Sequence, residues 1–303
     1  MKNTKYLLLL FAVAFALTSC EKNDDTDDTG TTDDVTNTDG PTMDFKFKFD
    51  PNQERLGNLG EPAALPAGNA GQSPDFNGMS AHYIELAQDK YTAVGSGVVL
   101  YHAPETSKGG DNAIDFDQAI VKDEGEVFFA VSLDEIPAGT YKWLRVSLGY
   151  QNYDIDFNVQ GNQYRGTLAS FVGFNSYISS FKVKDETVTV NDDKKQGYWA
   201  FETHNLPAPW NEPVTGSAPG TTVVNPIHGT SPIPAGSCLV TGEFDPPLVV
   251  DGTESEIEII VSLSTNKSFE WKDNNANGEW DSDQNEQVVD MGLRGLKAFV
   301  TKE

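Results

Sequence analysis

Apolar and polar residues alternate with a period of two along most of the chain, and no segment carries a long apolar stripe at helical spacing. Turn-forming groups such as Pro137-Ala138-Gly139 and Asp251-Gly252 separate the alternating runs. The runs predict strands at Phe45–Phe49, His82–Leu86, Gly97–Tyr101, Glu126–Leu133, Thr140–Leu148, Tyr153–Val159, Thr167–Phe174, Tyr177–Val183, Thr187–Val190, Tyr198–Glu202, Cys238–Phe244, Ile257–Ser264 and Leu296–Val300. The pattern indicates an all-β protein, an antiparallel β-sandwich with long loops.

Two stretches interrupt this alternation. Residues 51–78 are polar and rich in Gly, Pro and Asn, and residues 206–236 hold seven prolines. Long loops inside a compact domain are functional, disordered or interdomain. A two-domain interpretation would divide the chain at residues 206–236, but few strands follow that could close a second sandwich. We therefore predict one sandwich domain over residues 45–303, with the long loop 206–236 as an excursion from it.

The N-terminus has the composition of an export signal. Two lysines precede the apolar run Tyr6–Leu17, which is too short to span a bilayer. The run ends in Leu17-Thr18-Ser19-Cys20, which resembles the lipobox of bacterial lipoproteins, whose cysteine becomes the lipidated first residue. The resemblance implies a signal peptide over residues 1–19 and a membrane anchor of palmitate-type acyl chains on Cys20. The alternative is an ordinary secretory signal in which Cys20 has no role.

The composition of residues 20–44 predicts a disordered, acidic tether. They are mostly Asp, Thr, Asn and Gly, and so contain too little apolar surface to offset the entropy cost of ordering. The acidic residues that follow the cysteine, in Glu21-Lys22-Asn23-Asp24-Asp25, resemble the export signals of Bacteroidota surface lipoproteins, with Asn23 interrupting the usual lysine–acid–acid order. This resemblance implies an outer-membrane lipoprotein that is exposed at the cell surface.

The chain is strongly acidic, with 46 acidic and 21 basic residues and a formal net charge of −25 at pH 7. Most of this excess lies beyond the tether, so the folded part is acidic as well. Such a surface repels nucleic acid and anionic headgroups and attracts divalent cations. We therefore expect no nucleic-acid partner, and contact with the membrane through the lipid anchor alone. With Cys20 lipidated, Cys238 has no disulfide partner, and its strand context predicts a buried, unreactive thiol.

The most specific chemical motif is Asp273-Asn274-Asn275-Ala276-Asn277-Gly278-Glu279-Trp280-Asp281. Oxygen-bearing side chains alternate before a glycine, which is the spacing with which a tight loop wraps a hard cation such as calcium. The predicted ligands are Asp273, Asn275, Asn277, the carbonyl of Glu279, Asp281 and Asp283. An EF-hand has a bidentate Glu where this chain has Gln284, so Asp283, Glu286 or Asp290 would have to substitute. The predicted affinity is weak, about 10⁻⁴–10⁻³ M, and the alternative is a solvated Asn/Gly turn.

Histidines and one tryptophan are the other candidates for binding. His82 and His102 lie in predicted strands that could be neighbours, while His204 and His228 lie at and within the proline-rich loop. No two of them have the close spacing of a metal-binding pair, so the sequence alone favours unconnected histidines. Trp210 stands in the proline-rich loop without an evident core role, and we predict that it contacts a ligand together with His204 and His228.

A second resemblance extends over the body of the chain. Ile136-Pro137-Ala138-Gly139-Thr140-Tyr141 is similar to a strand start common in Bacteroidota β-sandwich lipoproteins, including domains similar to the methanobactin-associated copper-binding lipoprotein. Gln196–Glu202 and Ile257–Phe269 occupy similar places, so the similarity would run from about Phe45 to Trp271. It implies a sandwich lipoprotein. Copper binding is not inferred, because the motifs are generic and the loop lengths differ.

No catalytic template occurs in the sequence: there is no G-x-S-x-G, H-E-x-x-H or phosphate-binding loop. We predict a lipid-anchored cell-envelope protein that acts as a non-enzymatic binding module for a glycan or protein ligand, with a calcium-stabilised loop and no organic cofactor. One alternative is a carbohydrate-active hydrolase with a carboxylate pair about 5–9.5 Å apart, although the sequence does not show which of its many acidic residues would form the pair. The other is a metal-binding lipoprotein, which converging histidines would favour.

Overall fold

Strands make up nearly all of the regular structure in the computed structural model, which describes residues 40–218, 231–234 and 236–302. The strands are β1 Thr42–Asp50, β2 Asn69–Gln72, β3 Asp75–Ala87, β4 Val98–His102, β5 Glu105–Thr106, β6 Ala113–Asp115, β7 Val127–Ser132, β8 Gly139–Val159, β9 Asn162–Phe171, β10 Asn175–Lys182, β11 Thr187–Lys195, β12 Tyr198–Thr203, β13 Val214–Ser217, β14 Cys238–Val250, β15 Ile257–Ser264, β16 Phe269–Lys272, β17 Val288–Asp290 and β18 Leu296–Lys302. Phe116–Gln118 and Leu133–Glu135 form 3-10 turns. The predicted all-β class is confirmed.

The signal peptide, Cys20 and the tether as far as residue 39 lie outside the described residues, as does His228. All described residues belong to one compact unit, Val35–Glu303. Within the described part of the chain, no helix has the length and apolar character needed to cross a membrane.

One large sheet of eleven strands dominates the described structure. Its order is β13-β12-β9-β8-β14-β18-β15-β1-β7, with β3 bonded to β8 and β4 bonded to β3. Two smaller sheets have the orders β11-β10-β6-β5 and β17-β16-β2. Most neighbouring strands are antiparallel, as predicted, but β1 with β15, β14 with β18 and β6 with β10 are parallel. The sheets are therefore mainly antiparallel, with three parallel pairs among the described strands.

β1 illustrates how the period of two builds the main core. Met43, Phe45, Phe47 and Phe49 are buried, while the residues between them are partly or fully exposed. The apolar side chains of β1 pack with those of β3, β7, β8, β14, β15 and β18 in a single cluster. Each fully buried Phe or Met contributes about 1.5–3 kcal/mol through loss of contact with water, so this cluster is the main source of stability.

β8 is a long strand that is hydrogen-bonded to three other strands. Its first half pairs with β14, its second half pairs with β9, and β3 pairs along its other edge. Residues 144–153 of β8 are all buried, because layers of the fold cover both of its faces. A second, smaller core lies where β8 and β9 meet the sheet of β2, β16 and β17. It contains Tyr153, Ile155, Leu168, Phe269 and Trp271.

Both stretches predicted as long loops contain strands. β2 lies within residues 51–78 and pairs with β16, and β3 also starts within that stretch. β13 lies within residues 206–236 and pairs with β12. Their sequences, Asn-Ala-Gly-Gln and Val-Thr-Gly-Ser, have only four residues each and contain glycine, so the alternating pattern is too short to identify them as strands. Pairing with strands elsewhere in the chain is what makes them extended.

Candidate functional site

The predicted cation loop connects β16 to β17 and has a defined internal geometry. Gly278 adopts a φ of +76°, which a residue with a side chain rarely adopts, and its N–H donates to Asp273 Oδ2 at 3.0 Å. The side-chain oxygens of Asn275 and Asn277 each accept the backbone N–H two residues ahead, at 3.1 and 2.8 Å. These hydrogen bonds between side chains and the backbone form tight turns that keep the loop compact.

Two buried carboxylates lie at the base of this loop. Asp281 is 9% exposed, and its Oδ2 accepts the side-chain amides of Asn275 and Asn277 at 2.7 and 2.8 Å. These hydrogen bonds lower the pKa of Asp281 below its usual value. Glu286 is 6% exposed and accepts the backbone N–H groups of Asn274 and Asp281 at 2.9 and 2.8 Å. The loop therefore contains buried, acceptor-rich groups of the kind that a hard cation binds.

The six predicted ligands do not all belong to this network. Asp273, Asn275, Asn277 and Asp281 share it, and Asp273 Oδ1 is buried with no hydrogen-bond partner among the described residues. The side chain of Glu279 accepts from Asn158 of β8, outside the loop, at 2.7 Å. Asp283 instead accepts the backbone N–H of Gln160 in the turn after β8, and Asp290 pairs with Arg294. Of the three acidic residues considered for position twelve, Glu286 is the one whose side chain is hydrogen-bonded within this loop.

Trp280 connects the loop to a cleft of about 550 Å³ between the large sheet and the sheet of β2, β16 and β17. Its indole contacts Phe269 with ring centroids 4.9 Å apart, and its Nε1 donates to the carbonyl of Glu286 at 3.3 Å. Trp199 and Phe201 line the cleft from β12. Four large aromatic side chains therefore line the space, and one of them, Trp280, lies in the predicted cation loop.

Glycines in neighbouring strands allow the aromatic rings of β12 to lie close to the sheet. Trp199 is paired with Gly216 of β13, and a Cβ atom at Gly216 would come within 2.4 Å of the indole. A Cβ at Gly166 of β9 would come within 2.3 Å of the Phe201 ring. A glycine inside a strand often marks a close approach of this kind, so Gly166 and Gly216 were the sequence signal for the cleft.

His82 and His102 converge, and the group that joins them is Glu105. β3 and β4 are paired with Tyr83 opposite His102. His82 Nε2 and His102 Nε2 each lie 3.0 Å from Glu105 Oε1, and the side-chain amide of Asn112 donates to Glu105 Oε2 at 2.7 Å. The hydrogen bond from His82, followed by those from Asn112 and His102, lowers the pKa of Glu105 to about 2. Sequence reasoning missed Glu105, although it follows His102 by only three residues.

His204 belongs to a different polar network. Thr167 Oγ1 lies 2.7 Å from both His204 Nε2 and Asp154 Oδ1, and Lys184 Nζ lies 3.0 Å from His204 Nδ1. Burial lowers the pKa of His204 below the usual histidine value. Asp154 and Asp156 both pair with Arg165, which also pairs with Asp75, so three carboxylates share one cation.

Trp210 is 70% exposed in the connection between β12 and β13, and it is not among the described residues that line the cleft. Its carbonyl accepts a hydrogen bond from Thr203. The predicted ligand contact at Trp210 stays a prediction. Cys238 is a partly buried free thiol whose pKa is raised to about 12 by burial, in agreement with an unreactive cysteine.

Comparison with known proteins gives no further guide to these sites. No family model matches the chain, no curated protein is significantly similar to it, and no solved structure has a significantly similar fold. Function is therefore argued from the geometry of the described residues.

Proposed function

We propose that the protein is a lipid-anchored cell-envelope binding module whose cleft between Trp199 and Trp280 holds a neutral glycan, with calcium in the Asp273–Asp281 loop fixing one wall. The observation that carries this proposal is the cleft of about 550 Å³ with four aromatic side chains in its lining. A volume of this size is within the range of small-molecule sites.

Aromatic walls favour a sugar because a pyranose ring presents apolar C–H faces that pack on indole and phenyl rings. Trp199, Phe201 and Trp280 supply those surfaces, and Ser217 and Gln287 supply polar groups beside them for hydroxyls. The formal net charge of −25 disfavours anionic ligands such as nucleotides or phosphorylated sugars. A neutral oligosaccharide meets both conditions.

Calcium enters the proposal through the position of Trp280. This residue lies between Glu279 and Asp281, two of the predicted ligands, and its indole N–H donates to the carbonyl of Glu286. An ion that draws these oxygens together would reduce the freedom of the Trp280 backbone, so the cleft would lose less entropy on binding a ligand.

Membrane attachment is supported by the sequence of residues 1–44 alone. A lipidated Cys20 followed by a long acidic tether would hold the binding module away from the outer membrane, at the cell surface. Globomycin-type inhibition of signal cleavage together with acyl-chain labelling would test this: labelling that persists after Cys20→Ser would contradict the anchor.

The binding proposal is tested by isothermal titration calorimetry against a panel of neutral oligosaccharides, with and without a calcium chelator. Trp199→Ala should weaken binding about tenfold or more, because it removes one stacking surface. Trp210→Ala tests the alternative ligand contact predicted from the sequence, because it removes an exposed tryptophan outside the cleft; if the cleft is the site, this variant binds normally. Chelation should also weaken binding. A loss in Trp210→Ala with normal binding in Trp199→Ala would move the site to the proline-rich segment, and no binding across the panel would overturn the glycan proposal.

A further inference from the structure

We infer that His82, His102 and Glu105 form a binding site for one divalent transition-metal ion of the zinc class, separate from the cleft and from the calcium loop. The three residues lie on β3, on β4 and at the start of β5, and none of these strands contributes to the described lining of the cleft. The ligand atoms all lie within 4.8 Å of one another.

The distances between the ligand atoms would fit a small ion if they increased slightly. A tetrahedral ion with bonds of about 2.0–2.1 Å holds its ligand atoms about 3.3 Å apart. His82 Nε2 and His102 Nε2 are each 3.0 Å from the same Glu105 oxygen. Two imidazoles and one carboxylate are a common three-residue donor set for zinc, whereas calcium requires six to eight oxygen atoms. The donor set therefore selects a transition metal over calcium.

The surrounding structure holds these ligands in place. His82 is completely buried, with its ring centroid 5.0 Å from that of His102 and 5.5 Å from that of Phe174. Asn112 donates to the second oxygen of Glu105, and the buried side chain of Asn175 donates to the carbonyl of Asn112 at 3.0 Å. Such an outer layer of hydrogen bonds orients a ligating carboxylate and typically supports metal affinity.

The burial of His82 is hard to explain as packing alone. Its Nδ1 atom is buried with no hydrogen-bond partner among the described residues, so the only side-chain hydrogen bond described for the imidazole is the one to Glu105. An apolar side chain at this position would avoid the cost of burying an unpaired polar atom, which is about 1–3 kcal/mol. A role for Nε2 in binding an ion accounts for the presence of a histidine here.

The site opens to solvent on the side of His102 and Glu105. Their side chains are 37% and 23% exposed, whereas His82 forms the buried floor. An ion can therefore enter directly, and its fourth coordination position would face water, as in metal sites that exchange their ion or an exogenous ligand. The acidic surface of the protein raises the local concentration of divalent cations around this opening.

The test uses the full-length chain, stripped of metal and returned to calcium-containing buffer, so that the calcium loop does not take up the added metal. Calorimetric titration with ZnCl₂ should show one bound ion. His102→Ala and Glu105→Gln should each weaken zinc affinity about tenfold or more, and Asn112→Ala should weaken it less. His204→Ala removes a histidine from the other network and is the matched control that should bind zinc normally. Thermal unfolding of each variant checks that the partly exposed substitutions leave the fold intact.

Cobalt(II) gives a second readout, because four-coordinate cobalt absorbs visible light much more strongly than six-coordinate cobalt. The wild-type chain should give the strong spectrum and His102→Ala should not. Equal zinc binding by the wild type, His102→Ala and Glu105→Gln would overturn the inference, as would no binding or a six-coordinate cobalt spectrum in the wild type. Oligosaccharide binding should be unchanged in His102→Ala. The experiments therefore distinguish a failure of the zinc-site proposal from a failure of the glycan proposal.

Discussion

At the scale of single residues, a buried ion pair secures the connection between β3 and β4. Glu85 and Arg145 are both completely buried and lie 3.4 Å apart. Glu85 accepts the backbone N–H groups of Gly95 and Gly97 at 3.1 and 2.6 Å, and Arg145 donates to the carbonyl of Lys90 at 3.0 Å. The two charges thus hold both ends of residues 89–97 against the sheet.

Removing one partner of this pair should be costly, because the other charge stays buried. We expect Arg145→Met to lower the free energy of unfolding by about 3–5 kcal/mol, measured by urea denaturation followed by tryptophan fluorescence. Lys48→Met is the control: Lys48 pairs with Asp50 at 2.8 Å on the surface, and its loss should cost less than about 1 kcal/mol. A change below about 1 kcal/mol in Arg145→Met would mean that the backbone donors alone satisfy Glu85.

At the scale of elements, the sheet of β2, β16 and β17 is the part of the fold with the least hydrogen bonding of its own. Its strands have four, four and three residues, and the cation loop forms the connection from β16 to β17. Short strands gain few ladder hydrogen bonds, so this sheet depends on its aromatic core and on the loop. Calcium bound in the loop would therefore stabilise an element that supports the cleft.

Calcium should raise the stability of the wild-type chain through this loop. With a dissociation constant of about 10⁻⁴–10⁻³ M, calcium at about 10 mM contributes about 1.4–2.7 kcal/mol, seen as a rise in Tm of several degrees. Asp281→Asn should lose most of this rise, since Asp281 lies at the centre of the loop network.

Asp283→Asn is the matched control for that experiment, because the side chain of Asp283 is hydrogen-bonded to Gln160 outside the loop network. It should keep the full calcium response at the same ionic strength. Equal loss of the response in Asp281→Asn and Asp283→Asn would contradict the ligand set that the structure indicates, and no response in the wild type would contradict calcium binding altogether.

At the scale of the whole molecule, most of the formal net charge of −25 lies on residues 45–303, so like charges lie close together on the folded surface. Repulsion among exposed charges is screened by salt: the Debye length falls from about 30 Å at 0.01 M to about 8 Å at 0.15 M ionic strength. We expect Tm to rise over this range of NaCl, measured by calorimetry with a chelator present so that calcium does not contribute. A fall in Tm would show that attractive pairs such as Lys195–Asp111, rather than net repulsion, dominate the surface.

The all-β class and many of the strands could be predicted from the sequence. The period of two decides which side chains of a strand share a face, and a buried face demands apolar residues on that period. β15 therefore has the predicted bounds Ile257–Ser264, and β1 buries the predicted alternate residues. The compact geometry of the Asp273–Asp281 loop was predictable because its oxygens are close in sequence. Four of the six predicted ligands lie in one hydrogen-bond network, whereas cation binding itself stays a prediction.

Only the tertiary structure decided which segments that are distant in sequence lie together. The alternation of apolar residues shows which face of a strand is buried, but it does not show which strand lies beside it. The parallel pairing of β1 with β15 could therefore not be predicted from the pattern. For the same reason, strand pairing revealed β2 and β13 where their own residues did not. It also brought His82, His102 and Glu105 together, and placed Trp199 and Trp280 in the lining of one cleft. The sequence by itself determined the local geometry of strands and the cation loop, whereas long-range packing determined the sites.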